Sequence, residues 1–181
     1  MTTNTVPLAA PAVSRPPARW TVVVAHAIPL LVLPSSIWRI LLGSGVAMGV
    51  SRASLEAEDM PGWGTVGVVL LSLASEGAAL LSLGLVRPWG EVFPRWVPVL
   101  HGRTVPRLFV VLLASAGGLV LTALWAYAIF GLHEAELFQG AGWRLLLYVC
   151  YSPLLLWGPL LLVLTAAYWV RRSGRGDARL A

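Results

Sequence analysis

Four apolar runs, each about as long as a bilayer is thick, constrain this chain more than any other feature. They extend from about residue 20 to 42, 65 to 86, 107 to 130 and 143 to 170, with short polar connections between them. The hydrocarbon core of a membrane is roughly 30 Å deep, which an α-helix crosses in about 20 residues. A backbone in lipid must satisfy its own hydrogen bonds, so runs of this length are predicted to cross as helices. Charge points the same way: 12% of the residues are charged and 57% hydrophobic, where a soluble domain carries roughly 25% charged residues. The fold class expected is an all-α membrane protein, a bundle of four transmembrane helices with both termini on the cytoplasmic side.

Residues 1–18, rich in Thr, Pro and Ala, are predicted to form a disordered tail. Residues 19–170 make the transmembrane domain and residues 171–181 a basic cytoplasmic tail. Arg15 and Arg19 ahead of the first run also suit a secretory signal. That run is too long for a signal's apolar core and no A-x-A cleavage site follows, so a true span is expected. Pro29 and Pro34 in the first span, and Pro153 and Pro159 in the fourth, each remove a backbone donor and predict kinks. Between the first two spans, Ser54 to Asp59 is predicted as a short helix with Ser54 as N-cap. Ala74, Ala78 and Ser82 recur every four residues in the second span, and Ala114, Gly118, Thr122 and Ala126 in the third. Such small-residue stripes let helices approach closely. The second and third spans are therefore expected to pack tightly, against each other or across a dimer.

The thirteen basic residues are all arginine. With the heavy use of Ala, Gly, Val and Leu, this composition suggests a GC-rich coding sequence of actinobacterial type. Arginines outside spans set topology and meet anionic headgroups, so the net charge of +5 is not read as nucleic-acid binding. Arg15 and Arg19 precede the first span; Arg87, Arg95 and Arg103 stand against Glu91 between the second and third. Arg171, Arg172, Arg175 and Arg179 follow the fourth. The two remaining connections are net acidic, through Glu56, Glu58 and Asp59 and through Glu134 and Glu136. This alternation predicts a multi-pass protein of the cell membrane with both termini cytoplasmic. One cysteine, Cys150, excludes an intrachain disulfide and a CxxC redox pair.

The connection from Arg87 to Pro106, RPWGEVFPRWVPVLHGRTVP, separates the two halves. Its prolines at 88, 94, 98 and 106 exclude a long helix, while Trp89, Phe93, Trp96 and Val97 are too apolar for water. It is predicted to lie along the cytoplasmic interface, aromatics at headgroup depth and Arg87, Arg95 and Arg103 toward phosphate. A docking surface is the other reading. The pattern RPWG, PRW-x-P and GR-x-VP resembles the linker of small actinobacterial four-span membrane proteins of unknown function. That resemblance implies the four-span layout and a cytoplasmic loop, and no activity.

Ionisable side chains inside spans are costly and are functional candidates by default. His26, Arg39 and Glu76 are the three. At about 1.5 Å per residue, His26 and Glu76 lie about 9 and 15 Å from the cytoplasmic side, and Arg39 about 28 Å. His26 and Glu76 are thus within reach of each other if their faces match. Arg39 beside Trp38 is predicted to snorkel to the external interface. Tyr148, Cys150, Tyr151 and Ser152 ahead of Pro153 are expected either to line a polar pocket facing Glu76 or to satisfy carbonyls at the kink. Trp20, Trp63, Trp143 and Trp169 read as interfacial anchors, and Trp125 and Trp157 as deeper packing residues.

No catalytic, metal or cofactor motif is present in the sequence. The partners expected are the lipid bilayer, anionic headgroups, and a second copy or another membrane protein; nucleic acid is not expected. An accessory or scaffold subunit acting by helix association is the first functional expectation. A small proton-coupled transporter or permease using Glu76 is the second, and a membrane enzyme acting on lipid or quinone the third.

Overall fold

A computed structural model describes residues 16–91, 104–132 and 140–173. Six α-helices account for most of them: α1 (Arg19–Gly43), α2 (Arg52–Ala57), α3 (Trp63–Leu81), α4 (Arg107–Leu132), α5 (Ala141–Tyr151) and α6 (Leu154–Ser173). No strand occurs among the described residues. Four stretches are long and apolar enough to cross a membrane: Arg19–Gly43, Trp63–Leu85, Arg107–Phe130 and Ala141–Ser173. Their bounds fall within a few residues of the predicted runs.

The last stretch is two helices. Pro153 cannot donate to Val149, and the chain turns at Ser152 and Pro153 before α6 begins. The Ser152 amide still closes the final turn of α5 on Tyr148 O at 2.8 Å. By contrast α1 runs unbroken through Pro29 and Pro34. The carbonyl that Pro29 leaves without its usual donor is Ala25 O, and Ser82 Oγ of the neighbouring helix lies 3.4 Å from it. Ser82 Oγ gives its proton more closely to Ala79 O, at 2.6 Å, so Ala25 O has a polar neighbour from another span rather than a full replacement donor.

The spans form a row, α3 on α1, α1 on α6, and α6 on α4. Burial reflects that order. A third of the apolar window of α1 is buried (33%), against 6% for α4. The core is built from Ala25, Ile28 and Val32 of α1, Ala79 of α3, and Leu154, Trp157, Leu164 and Tyr168 of α6. Their spacing of three, four and seven residues puts each set on one helix face.

Among the described residues, the expected contact of α3 with α4 is not one of the main packing pairs. The stripe of α4 faces α6 instead. A Cβ on Gly118 would stand 2.8 Å from Leu162 and 3.2 Å from Gly158 O, and a Cβ on Gly158 would collide with Thr122 Oγ1. Backbone meets backbone there, so α4 is committed to α6. On α3, Ala79 and Ser82 are buried, whereas Ala74 and Ala78 are exposed.

The short helix α2 starts earlier than expected. Ser51, not Ser54, is its N-cap, accepting from Ser54 N at 3.1 Å. Asp59 instead serves the next helix, its Oδ2 accepting from Trp63 N at 2.7 Å. A carboxylate there also suits the positive end of α3. Trp20, Trp63 and Trp143 are exposed at the span ends.

Candidate functional site

Two polar regions lie at opposite ends of the spans. The first surrounds Arg39. One helical turn separates Arg39 from Ser35 and Ser36, and all three sit on the buried face of α1. The side chain therefore does not snorkel outward as the sequence suggests. It turns into the bundle, leaving Arg39 only 8% exposed. Its Nε donates to Ser72 Oγ of α3 at 3.2 Å and its Nη2 to Ser36 Oγ at 3.3 Å. The Tyr151 hydroxyl, at the end of α5, is its third polar neighbour. The break after Tyr151 lets α5 lean on α1, where Trp38, Met48 and Leu147 form a small apolar cluster. Trp143 crosses Trp38 edge to face at 6.3 Å.

Beside Arg39 a cleft of about 370 Å³ opens between α3 and α4. Arg39 and Trp157 line its inner side, and Ala74, Ala78, Leu121 and Trp125 are among its walls. Leu71, Ala74, Ala78 and Leu124 are exposed, so the cleft opens to the outside of the bundle. Trp125 meets Tyr151 edge to face at 6.0 Å. The indole nitrogens of Trp125 and Trp157 are buried donors with no acceptor. Arg39 has no carboxylate within ion-pairing distance among the described residues. Arg39, Trp125 and Trp157 thus line a cleft whose surface is almost wholly apolar, the two indole nitrogens themselves being buried.

Glu76 shares the face of α3 that carries Ser72 and Ala79. It is half-buried, and its Oε1 is buried without a hydrogen-bond partner. His26 does not come to it. His26 is exposed on α1, its Nδ1 2.7 Å from Val22 O of its own helix. Of the aromatic and hydroxyl residues before Pro153, Tyr151 is brought to Arg39 and Ser152 is exposed. Tyr148 and Cys150 are half-buried on α5. Among the described residues no three His, Cys, Asp or Glu side chains gather in a way that could hold a metal ion.

The second region joins the Arg87–Pro106 connection to the end of α6. Arg171 Nη2 donates to Leu85 O and to Glu91 Oε1, both at 3.0 Å. Arg172 Nη1 donates to Val105 O at 3.1 Å and to Tyr168 Oη at 2.6 Å. Tyr168 Oη in turn donates to Gly90 O at 3.2 Å. Arg107 lies over the Trp169 ring at 5.0 Å. Arg171 caps the carbonyl end of the second span, where a helix dipole favours positive charge. Arg171 and Arg172, predicted to begin the free basic tail, are thus the last turn of α6 and hold the connection down. Arg87 is exposed and Trp89 is 40% exposed. Arg95, Trp96 and Arg103 lie outside the described residues.

Sequence reasoning missed the part played by Ser36, Trp125 and Trp157. Serines one turn from an intramembrane arginine, and tryptophans set deep in a span rather than at its ends, were the available signals. Compared with family models, curated proteins and solved structures, the chain finds no significant match in any of the three.

Proposed function

We propose that the protein acts by association inside the membrane, as an accessory or scaffold subunit that receives an apolar partner helix along the seam between α3 and α4. One observation carries the reading. Ala74 and Ala78, the small residues of α3, line an open cleft and are not covered by a helix of their own chain. Small residues permit close helix approach, and the cleft admits partner side chains while the helix itself lies across its mouth. A photoreactive residue at Ala78, installed in the full chain in living cells, is expected to cross-link to a transmembrane segment of another polypeptide. Ala74→Leu, which fills the mouth, is expected to abolish that adduct. Adducts with lipid alone, or an adduct indifferent to Ala74→Leu, would overturn the reading.

The same reading puts the protein in the cell membrane with both termini and the Arg87–Pro106 connection cytoplasmic. An imbalance of charge supports it: Arg19, Arg87, Arg107, Arg171 and Arg172 stand against Glu91 at one end, and Arg52 and Arg144 stand against Glu56, Glu58 and Asp59 toward the other. The loop resemblance to small actinobacterial four-span proteins agrees with this layout. A reporter fused after Ala181 is expected to be active in the cytoplasm; an external signal would reverse the orientation. The transporter reading has less support, because His26 and Glu76 form no relay.

A further inference from the structure

At the Arg171 end of the spans, a groove of about 590 Å³ opens to the outside between the start of α1, the end of the second span and α6. That volume is within the roughly 300–1,000 Å³ of small-molecule sites. Its floor is buried: Leu85 and Val86 close the second span, and Leu164 and Tyr168 come from α6. Its rim, at Trp20, Val163 and Val170, is exposed. Along α6 the lining runs from Arg171 back to Val163, about 12 Å at 1.5 Å per residue. The groove therefore begins at the end of the span and follows the helix into hydrocarbon, which is the course of an acyl chain.

Any lipid can lay a chain in an apolar groove; charge at the mouth selects the headgroup. Each wall carries an arginine at that end. Arg19 stands between the lining residues Ala18 and Trp20, Arg87 follows Val86, and Arg171 is itself in the lining. Arg171 is paired with Glu91. Arg19 and Arg87 are exposed and have no carboxylate within ion-pairing distance among the described residues. The first turn of α1 holds no acidic side chain, and no side chain caps it, so its amide end adds to the positive potential. Trp20 is 50% exposed at the mouth, the setting that interfacial tryptophans favour. An acyl chain continuous with a negative headgroup answers both parts of the site. A free anion would use only the mouth, and a neutral lipid only the groove.

We propose that this groove binds one anionic phospholipid of the leaflet at this end, its acyl chain lying along α6 from Trp20 toward Val163 and its phosphate held by Arg19 and Arg87. The groove shares no lining residue with the α3–α4 cleft, so its occupant does not depend on what fills that cleft. The test places the full chain in phosphatidylcholine vesicles doped with one of two probes, a phosphatidylglycerol or a phosphatidylcholine bearing the same diazirine acyl chain. Adducts are mapped by peptide mass spectrometry. Leu112 and Leu113, exposed on α4 near the same end, report bulk lipid. One arginine near a surface contributes about fivefold to anionic-lipid binding. Labelling of Val163–Val170 relative to α4 is therefore expected to be at least about tenfold higher with the phosphatidylglycerol probe. Arg19→Gln or Arg87→Gln is expected to lower that preference about fivefold, and the two together to erase it. Ala167→Phe, which fills the groove, is expected to remove its labelling by both probes. Thermal unfolding checks that each variant folds, and the two-probe comparison on the unaltered chain needs no variant. Equal groove labelling by the two probes, or a preference that survives loss of both arginines, overturns the proposal. Groove labelling no greater than that of α4 does the same. A photoreactive residue at Ala167 that captures residues 1–15 or another polypeptide in place of lipid assigns the groove to protein and overturns it too.

Discussion

Arg39 and Arg171 are both drawn into the protein, at opposite ends of the spans, and they are satisfied in different ways. Arg171 meets a carboxylate, Glu91, and the carbonyl of Leu85, with the Tyr168 ring 5.6 Å from its guanidinium carbon. Arg172 meets Val105 O and Tyr168 Oη. The charge of Arg171 is thereby cancelled, although its Nε is unpartnered and Arg172 meets only neutral acceptors. Arg39 is buried more deeply and meets only hydroxyls. A cation whose charge is cancelled locally holds parts of the fold together. A cation left uncancelled in a water-poor site costs stability, and such sites are retained where something else supplies the counter-charge.

The comparison breaks if the two arginines respond alike to removal. Arg171→Ala removes the ion pair to Glu91 and the donor to Leu85 O. A loss of about 3 kcal/mol is expected from breaking a largely buried pair, read as unfolding of the full chain in mixed detergent micelles. Arg39→Met removes a charge that has no anion and puts an apolar chain in its place. Its unfolding free energy is expected to hold or rise, by at most about 1 kcal/mol. A destabilisation by Arg39→Met as large as that of Arg171→Ala would make Arg39 a structural residue and remove the contrast.

The four spans were legible because bilayer thickness sets a length and hydropathy sets a boundary, and both are local properties of the chain. Neighbour choice was not. The stripes through Gly118 and Ala78 announce close approach without naming what approaches. Only the meeting of Gly118 with Gly158 commits α4 to α6, and a glycine in an otherwise Leu-rich helix carries no address. The placement of Arg39 failed for a related reason. Counting residues fixed its height but not its direction around the helix. Helix α1 is apolar on every side, so its buried face, through Ala25, Ile28, Val32 and Ser36, is not marked by a polar opposite. The break at Pro153 was foreseen as a kink, but its consequence, Tyr151 leaning on Arg39, depends on tertiary contacts that no local pattern encodes. The Arg87–Pro106 connection was read as a lipid-facing segment; its two described ends are pinned to α6 by arginines that composition alone assigned to a free tail.

The smallest expected effect sharpens the contrast most. Ser72 stands between two roles: its hydroxyl donates to Val68 O at 2.7 Å and accepts from Arg39 Nε at 3.2 Å. Ser72→Ala removes one neutral acceptor from a cation that keeps Ser36 and Tyr151. The cost to folding is expected to be about 0.5–1 kcal/mol, the range of interhelical hydrogen bonds in membranes. A cost as large as that expected for Arg171→Ala would mean that Ser72 and Arg39 form a closed structural pair, as Glu91 and Arg171 do at the other end.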